Sequence, residues 1–152
     1  MADKETTYQD VLGRIEALAD GETDPITLMS TISCEVFHAF DHFHWVGFYR
    51  LVNPQTLKVG PYQGGHGCLT IDINRGVCGA CARENATQIE NDISQTTDHI
   101  ACSSETQAEI VLPVRDADGN VTAVFDIDST TPNCFDDTDL KWLEKITAML
   151  VS

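Results

Sequence analysis

The chain is predicted to fold as one α+β domain, because the spacing of its apolar residues changes twice along the sequence. Apolar residues recur at helical spacing over residues 10–40, alternate in short segments over residues 44–128, and return to helical spacing over residues 136–151. A chain of 152 residues is long enough to bury one hydrophobic core without disulfides or metal ions. We therefore expect a single domain over residues 1–152, with N-terminal helices and a C-terminal helix packed on a central antiparallel sheet.

Three longer helices are predicted. The first lies between Asp10 and Ala19, where apolar residues share one face. The second begins at Asp24-Pro25 and continues to Phe40, because aspartate caps helix N-termini and proline fits the first turn. The third runs from Asp136 to Val151, and its N-terminal aspartates suit the positive end of the helix dipole. We expect Cys34, on the second helix, to fill space in the core.

The middle of the chain is predicted to form strands and one short helix. Residues His44–Val52 are rich in aromatic and β-branched side chains and end at Asn53-Pro54, which is typical of a strand. Trp45 and Tyr49 share a face of this strand, either as core packing or as an aromatic wall for a methyl, thioether or cationic group. The elements predicted next are an antiparallel strand at Leu57–Tyr62, a short helix at Gly76–Glu84, a brief strand within Thr87–Ile93 and a polar loop from Ser94 to about Gln107.

A β-hairpin near the C-terminus gives the clearest supersecondary signal. Two apolar segments, Glu109–Val114 and Val121–Asp128, flank the turn-forming sequence DADGN. If Asp118-Gly119 forms a two-residue turn, Glu109 and Asp128 become cross-strand partners.

This register places three carboxylates, from Glu109, Asp126 and Asp128, in one patch on one face of the sheet, with Asp126 opposite Val111. Like charges directly opposite each other destabilise a sheet. The carboxylates are therefore either fully solvated, or meet a cation, or include one that is held protonated as an acid. The apolar segments around them favour a cation or a protonated carboxyl over a fully wet face.

The charge balance argues against several classes of partner. The chain has 24 acidic and 9 basic residues, and its net charge is -15. Such a surface repels nucleic acid and anionic lipid, so we expect neither nucleic-acid nor membrane binding. No apolar run approaches the roughly 20 residues that span a bilayer. The polar N-terminus does not resemble a signal or transit peptide, and we therefore expect a cytoplasmic protein.

Six cysteines are many for a cytoplasmic chain, in which a disulfide framework is not expected. Three of them, Cys68, Cys78 and Cys102, lie in loops or beside glycine. A neighbouring glycine leaves a sulfur atom accessible, so each is a candidate for thiol redox catalysis. In that chemistry one thiolate attacks an electrophile and becomes a sulfenic acid, and a second cysteine converts the sulfenic acid to a disulfide.

A zinc site is the alternative interpretation of the same cysteines. Cys78 and Cys81 form a C-x-x-C sequence, and His99 with Cys102 forms an H-x-x-C sequence. Together they supply four ligands at spacings found in structural zinc sites. The residues alone leave the redox and zinc interpretations open.

Six short motifs occur in one order between His44 and Asp128. They are His44–Tyr49 (HWVGFY), Gly60–Gly64 (GPYQG) with Cys68, Gly76–Gly79 (GVCG), His99–Cys102 (HIAC), Glu109–Val111 (EIV) and Asp126–Asp128 (DID). In this order they resemble the free methionine-(R)-sulfoxide reductases, which are stand-alone GAF domains. The resemblance runs from about residue 7 to the C-terminus. It implies a GAF-like fold and thiol-dependent reduction of free L-methionine-(R)-sulfoxide to L-methionine.

The resemblance also implies roles for the cysteines. Cys102 matches the nucleophile, Cys68 matches the resolving cysteine, and Cys78 matches a third cysteine that assists recycling. A thioredoxin-type reductant then reduces the intramolecular disulfide, and neither a metal nor another cofactor is required. Cys81 stands where the family has a small apolar residue, so it inherits no role.

The remaining site residues follow from the same resemblance. Glu109, Asp126 and Asp128 match an acidic cluster that binds the substrate and supplies a proton to the leaving oxygen, and Trp45 and Tyr49 match an aromatic wall. A homodimer through the N-terminal helices is a further expectation for this fold. Because folds do not define functions, a GAF module that binds a small ligand or senses redox state without turnover is the alternative hypothesis.

Overall fold

The computed structural model describes residues 3–95 and 105–151, and its elements confirm the α+β prediction. The helices are α1 (Lys4–Leu18), α2 (Pro25–Ala39), α3 (Gly76–Glu84) and α4 (Asp137–Thr147). The strands are β1 (Phe43–Asn53), β2 (Thr56–Gly64), β3 (Thr70–Asp72), β4 (Gln88–Glu90), β5 (Ala108–Arg115) and β6 (Val121–Ser129). Short 3-10 turns lie at Ile93–Gln95 and Ala148–Leu150. None of the helices among the described residues is long and apolar enough to cross a membrane.

The six strands form one antiparallel sheet in the order β3-β2-β1-β6-β5-β4. Helices α2 and α4 pack on one face, and α1 packs on both of these helices. Val46 and Phe48 point into this larger core, whereas Trp45 and Tyr49 point into a second apolar cluster on the opposite face, beside α3. The prediction that Trp45 and Tyr49 share one face of β1 is therefore confirmed.

The hairpin between β5 and β6 has the predicted register but a different turn. The Asp116 N–H donates to the Asn120 carbonyl, and the Gly119 N–H donates to the Asp116 carbonyl, so the loop holds three residues rather than two. Gly119 has a φ of 86°, the left-handed conformation that closes such loops. Thr122 is an extra residue on β6, between the pairs Val114–Ala123 and Arg115–Val121. The bulge compensates for the longer loop and restores the predicted pairing beyond it.

Helix α1 begins earlier than predicted, at Lys4. The Asp3 side chain caps it by accepting a hydrogen bond from the Thr6 backbone N–H at 2.8 Å. The first turn is entirely polar, so it contributes nothing to the apolar spacing on which the prediction depended. On α2, the prediction that Cys34 fills the core is wrong. Cys34 is only half-buried, and its Sγ lies 3.7 Å from His38 Nδ1 on the same helix.

Asp139 connects α4 to α1 inside the larger core. Its Oδ1 accepts a hydrogen bond from the Tyr8 hydroxyl at 2.6 Å. Its Oδ2 accepts from Lys4 Nζ at 2.7 Å and from the Asp136 backbone N–H at 2.9 Å. The side chain is therefore buried with both oxygen atoms satisfied, one of them by a cation.

Candidate active site

A pocket opens on the sheet face opposite α2 and α4. It holds about 490 Å³ of empty space, counting its open mouth. Its walls come from the middle of the sheet, the N-terminal end of α3 and the segment after β2. The lining residues are Trp45, Tyr49, His66, Gly67, Ile71, Arg75, Gly76, Val77, Cys78, Thr106, Glu109, Asp126 and Asp128.

Sheet pairing brings the three predicted carboxylates together on the floor of this pocket. Trp45 pairs with Asp128 across β1 and β6, and Asp128 pairs with Glu109 across β6 and β5. Asp126 is two residues before Asp128 on β6 and therefore faces the same side. The predicted register of these acids is confirmed, and they share the face with the indole of Trp45.

Burial and mutual repulsion hold protons on this cluster. Asp126 and Glu109 are only 4% and 5% exposed, and Asp128 is half-buried. Burial raises the pKa of Asp126 well above its usual value, and the neighbouring charges of Asp128 and Glu109 raise it further. The pKa of Asp128 is raised for the same reasons, burial first and the Glu109 charge second. The site therefore contains protonated carboxyl groups at a pH where exposed aspartates are ionised.

Several polar atoms on the pocket floor lack a partner within residues 3–95 and 105–151. Asp126 Oδ1, Asp128 Oδ1 and Trp45 Nε1 are buried and make no hydrogen bond with this part of the chain. Buried polar atoms are otherwise nearly always paired in folded proteins. Two acceptors and one donor are therefore available to a bound molecule.

The aromatic wall is larger than the predicted pair. Trp45 stacks on Tyr49, with ring centroids 5.5 Å apart, and on Tyr62 of β2 at 5.1 Å. Gly47 makes this arrangement possible, because a Cβ there would lie 2.8 Å from Trp45 Cη2 and would collide with Tyr62 Cβ. Gly67 closes the other side of the indole, since a Cβ there would lie 2.9 Å from Trp45 Cζ2. A glycine inside a strand signals such close approach, but the sequence alone does not say which ring requires it.

Cys78 lies in the pocket wall but is not the accessible thiol that its glycine neighbours predict. It is 5% exposed, on the inner side of α3. Burial raises the pKa of its thiol well above the usual value, and the carboxyl groups of Asp126 and Glu109 raise it further. Gly79 serves helix packing instead, because a Cβ there would lie 2.6 Å from the Ile73 carbonyl oxygen.

Cys68 follows the glycine-rich segment after β2, is half-buried and packs against the apolar cluster that contains Trp45. It is disulfide-bonded. The predicted nucleophile Cys102 and the predicted zinc ligand His99 lie outside the described residues. Cys81, the remaining member of the predicted zinc set, is fully buried one helical turn after Cys78. Burial raises the pKa of Cys81 to about 12.

The sequence patterns did not single out Arg75 or Thr106, which also line the pocket. Arg75 is the N-cap residue of α3, and its side chain makes no capping hydrogen bond. The first turn of α3, through Gly76, Val77 and Cys78, lines the same pocket as the Arg75 side chain. Thr106 lies just before β5, and its Oγ1 is 3.0 Å from His44 Nε2 on β1.

Comparison with known proteins assigns the fold first. A family model described as a GAF domain matches residues 23–150, so the chain is a GAF domain over that range. Two named relatives then identify the particular family. The chain is 35% identical over 153 residues to the free methionine-R-sulfoxide reductase of Saccharomyces cerevisiae, which covers 97% of this chain and 85% of that protein. It is 35% identical over 143 residues to the Escherichia coli enzyme of the same name, covering 94% and 86%.

A solved structure agrees with these relatives. The X-ray structure of free methionine-R-sulfoxide reductase from Neisseria meningitidis, in complex with its substrate, matches with a TM-score of 0.91 and 36% identity. The match covers 99% of this chain and 89% of that one. The chain therefore belongs to the free methionine-R-sulfoxide reductase family.

Proposed function

We propose that this protein reduces free L-methionine-(R)-sulfoxide to L-methionine, using cysteine thiols as the source of electrons. The observation that carries the proposal is the buried cluster of Glu109, Asp126 and Asp128, whose aspartate pKa values are raised, facing Trp45 inside one pocket. Reduction of a sulfoxide requires a proton for the departing oxygen, and a buried protonated carboxyl supplies it.

The two ends of the pocket fit the two charges of a free amino acid. The unpartnered oxygens of Asp126 and Asp128 accept hydrogen bonds from the substrate ammonium group. Arg75 and the first turn of α3 attract the carboxylate, because a helix N-terminus and a guanidinium both favour an anion. A methionine sulfoxide residue inside a polypeptide carries neither charge, so this arrangement favours the free amino acid. The S-methyl group rests on the indole of Trp45.

The proposed reaction begins at Cys102, in the role that the family resemblance gives it. The Cys102 thiolate attacks the sulfoxide sulfur while a carboxyl of the acidic cluster protonates the oxygen. The oxygen leaves with the cysteine sulfur as a sulfenic acid, and the substrate is released as a thioether. The thiol of Cys68 then attacks the sulfenic sulfur, a disulfide forms and water leaves.

The state of the cysteines supports this second step. Cys68 carries a disulfide, while Cys34, Cys78, Cys81 and Cys134 are free thiols. We propose Cys102 as the partner of Cys68 and a thioredoxin-type dithiol, in the cytoplasm, as the agent that reduces the bond. Cys78 is too buried for the first attack, and as a third cysteine it would enter only during recycling.

The test is a single-turnover assay of the reduced protein with free methionine-(R)-sulfoxide, the free S epimer and a peptide that contains methionine sulfoxide. We expect consumption of two thiols and formation of one methionine with the free R epimer, and little reaction with the other two. Cys102→Ser should reduce the rate at least about a thousandfold. Cys34→Ser, a half-exposed thiol outside the pocket, is the matched control and should leave the rate unchanged.

Binding of the R epimer without thiol consumption would contradict the proposal and support the alternative of a binding or sensing module. Equal rates with the free amino acid and the peptide would contradict the assignment of the two charged ends of the pocket.

A further inference from the structure

Cys78 and two acids of the pocket floor also form a set of potential metal-ligand atoms, although the proposed reductase chemistry uses no metal. We propose that Cys78 Sγ, with one carboxylate oxygen each from Glu109 and Asp126, forms a binding site for a thiophilic divalent cation such as Zn²⁺, and that the bound cation blocks the substrate pocket. These three atoms all lie within 4.8 Å of one another, and all three residues are buried. Among the residues that the structure describes, no other group of histidine, cysteine and acidic side chains meets this arrangement.

The spacing suits a tetrahedral ion. Zinc bonds of about 2.0–2.3 Å place two ligand atoms roughly 3.3–3.8 Å apart. Ligand atoms within 4.8 Å of one another therefore need only small side-chain rotations to reach a common centre. The three residues all line the pocket, so the fourth position is left to a water molecule.

Carboxylate oxygens at the site also lack a partner of the kind that a cation would supply. Asp126 is 4% exposed, yet its Oδ1 has no hydrogen-bond partner among the residues that the structure describes, and Asp128 Oδ1 likewise has none there. A divalent ion between these ligand atoms would accept their lone pairs and offset the negative charge that the neighbouring acids bring together. The net charge of -15 on the chain raises the local concentration of cations around the pocket.

The ligand types select among metals. A thiolate with two carboxylates suits Zn²⁺, Co²⁺ or Cd²⁺. Mg²⁺ and Ca²⁺ require six or more oxygen ligands and do not bind thiolates, so they should compete poorly.

This site differs from the zinc set predicted from sequence spacing. The two sets share only Cys78. Cys81 joins no group of potential metal ligands within residues 3–95 and 105–151, and the charges that affect its pKa are those of Arg115 and Glu84. Cys81 is therefore a matched control, being buried on the same helix one turn away but outside the cluster.

The binding test uses the disulfide form of the protein, in which Cys68 is not available as a ligand, with Cys34→Ser and Cys134→Ser as background substitutions. The probe is Co²⁺, because a thiolate ligand gives an intense absorption band that oxygen ligands do not. We expect one equivalent of Co²⁺ to produce this band, Zn²⁺ to displace it, and millimolar Mg²⁺ to leave it intact. The band should be lost in Cys78→Ser and retained in Cys81→Ala.

Two further variants keep the test decisive if Cys78→Ser does not fold, as judged by its thermal transition. Glu109→Gln and Asp126→Asn should each weaken binding at least about tenfold, since even a partner outside the first coordination shell contributes about 10–100-fold to metal affinity. The absence of a band at stoichiometric Co²⁺, a band that persists in Cys78→Ser, or a band that requires Cys81 would each overturn the proposal.

The blocking of the pocket rests on the proposed function and needs a separate measurement. With the fully reduced enzyme, Zn²⁺ should raise the KM for free methionine-(R)-sulfoxide and leave kcat unchanged. The residual activity of Cys78→Ser should not respond to Zn²⁺. A Co²⁺ band in a protein that turns over no sulfoxide would overturn the proposed function and leave the metal site standing. Sulfoxide turnover without a Co²⁺ band would overturn the metal site and leave the proposed function standing. A Co²⁺ band together with an unchanged KM would refute only the claim that the cation blocks the substrate pocket.

Discussion

The protein contains two buried aspartates, Asp139 and Asp126, whose hydrogen bonding differs. Asp139, between α4 and α1, is 1% exposed, and its oxygens accept hydrogen bonds from Tyr8, Lys4 and a backbone N–H. Asp126, on β6, is 4% exposed and keeps one oxygen without a partner, beside two other acids and a buried thiol. Both aspartates lose their hydration on burial, but only Asp139 replaces the lost hydrogen bonds to water with hydrogen bonds to protein groups at both of its oxygens.

The difference separates a structural acid from a functional one. A buried carboxylate that only stabilises the fold is surrounded by donors and a cation. The carboxyl of Asp126 is left under-satisfied, and its pKa is raised by burial and by its neighbours, so it retains a proton that can be transferred. The unpaired oxygen of Asp126 therefore destabilises the fold locally, and a hydrogen bond from a substrate ammonium group or contact with a cation relieves this destabilisation.

The largest expected effect is on activity at Asp126. Asp126→Asn keeps the shape of the side chain but removes the acidic proton, so kcat/KM should fall about a hundredfold to ten-thousandfold. Steady-state kinetics with free methionine-(R)-sulfoxide measures this. Asp118→Asn, an exposed change of the same kind in the turn of the same hairpin, should leave kcat/KM unchanged. Full activity of Asp126→Asn would remove this residue from the mechanism.

The second effect is on stability at Asp139. Asp139→Asn removes the negative charge that pairs with Lys4 and leaves a neutral buried amide next to the Lys4 ammonium group. The free energy of unfolding should therefore fall by about 3 kcal/mol. For a chain of this size that lowers Tm by roughly 6–12 °C. Asp137→Asn, exposed in the same helical turn, should lower Tm far less. Because Asp139 lies outside the pocket, kcat/KM should not change, and a large loss of activity in the folded variant would contradict the comparison.

The third effect concerns the hydroxyl of Tyr8. Tyr8→Phe removes one donor to Asp139 and should reduce the free energy of unfolding by about 2 kcal/mol, the usual range for a hydrogen bond to a charged group. A double-mutant cycle with Asp139→Asn checks the attribution by chemical denaturation. If the two losses are simply additive, the hydroxyl does not stabilise this carboxylate.

The smallest effect is the pH dependence of stability at Asp126. Its pKa is raised in the folded state, so below the unfolded-state pKa the group is protonated in both states and contributes nothing. As the pH rises above that value, the unfolded state loses the proton first, and the fold is progressively destabilised until the folded-state pKa is reached. The stability of Asp126→Asn relative to wild type should therefore be greater at pH 8 than at pH 5, as measured by chemical denaturation at the two pH values. A gain that is equal at both pH values would contradict a raised pKa.

The hairpin shows how far sequence reasoning reaches. Glu109 pairs with Asp128 as predicted, although the turn is a residue longer than assumed. The correct pairing survives because the bulge at Thr122 absorbs the additional residue, and the apolar pattern on the core face permits only one register. Strand alternation likewise placed Trp45 and Tyr49 on one face. Such regular patterns are local, so they can be read from the sequence.

Other features depend on contacts between distant segments. Cys78 is buried although it stands between a valine and a glycine, because α3 packs it against the acidic floor contributed by β5 and β6. Tyr62 completes the aromatic wall only because β2 pairs with β1 opposite Gly47. Arg75 reaches the pocket because α3 begins at its rim. None of these placements has a local signal.

The sequence by itself determined the order of the helices and of the strands other than β3 (Thr70–Asp72). It also determined the register of the hairpin and identified Cys78, the three acids and the Trp45–Tyr49 pair that line the pocket. The tertiary structure alone decided which of these groups are buried, which polar atoms lack a partner and in which direction each pKa moves. The physical reason is that spacing along the chain is local information. Desolvation and electrostatic repulsion depend on what other segments place above and beside a residue.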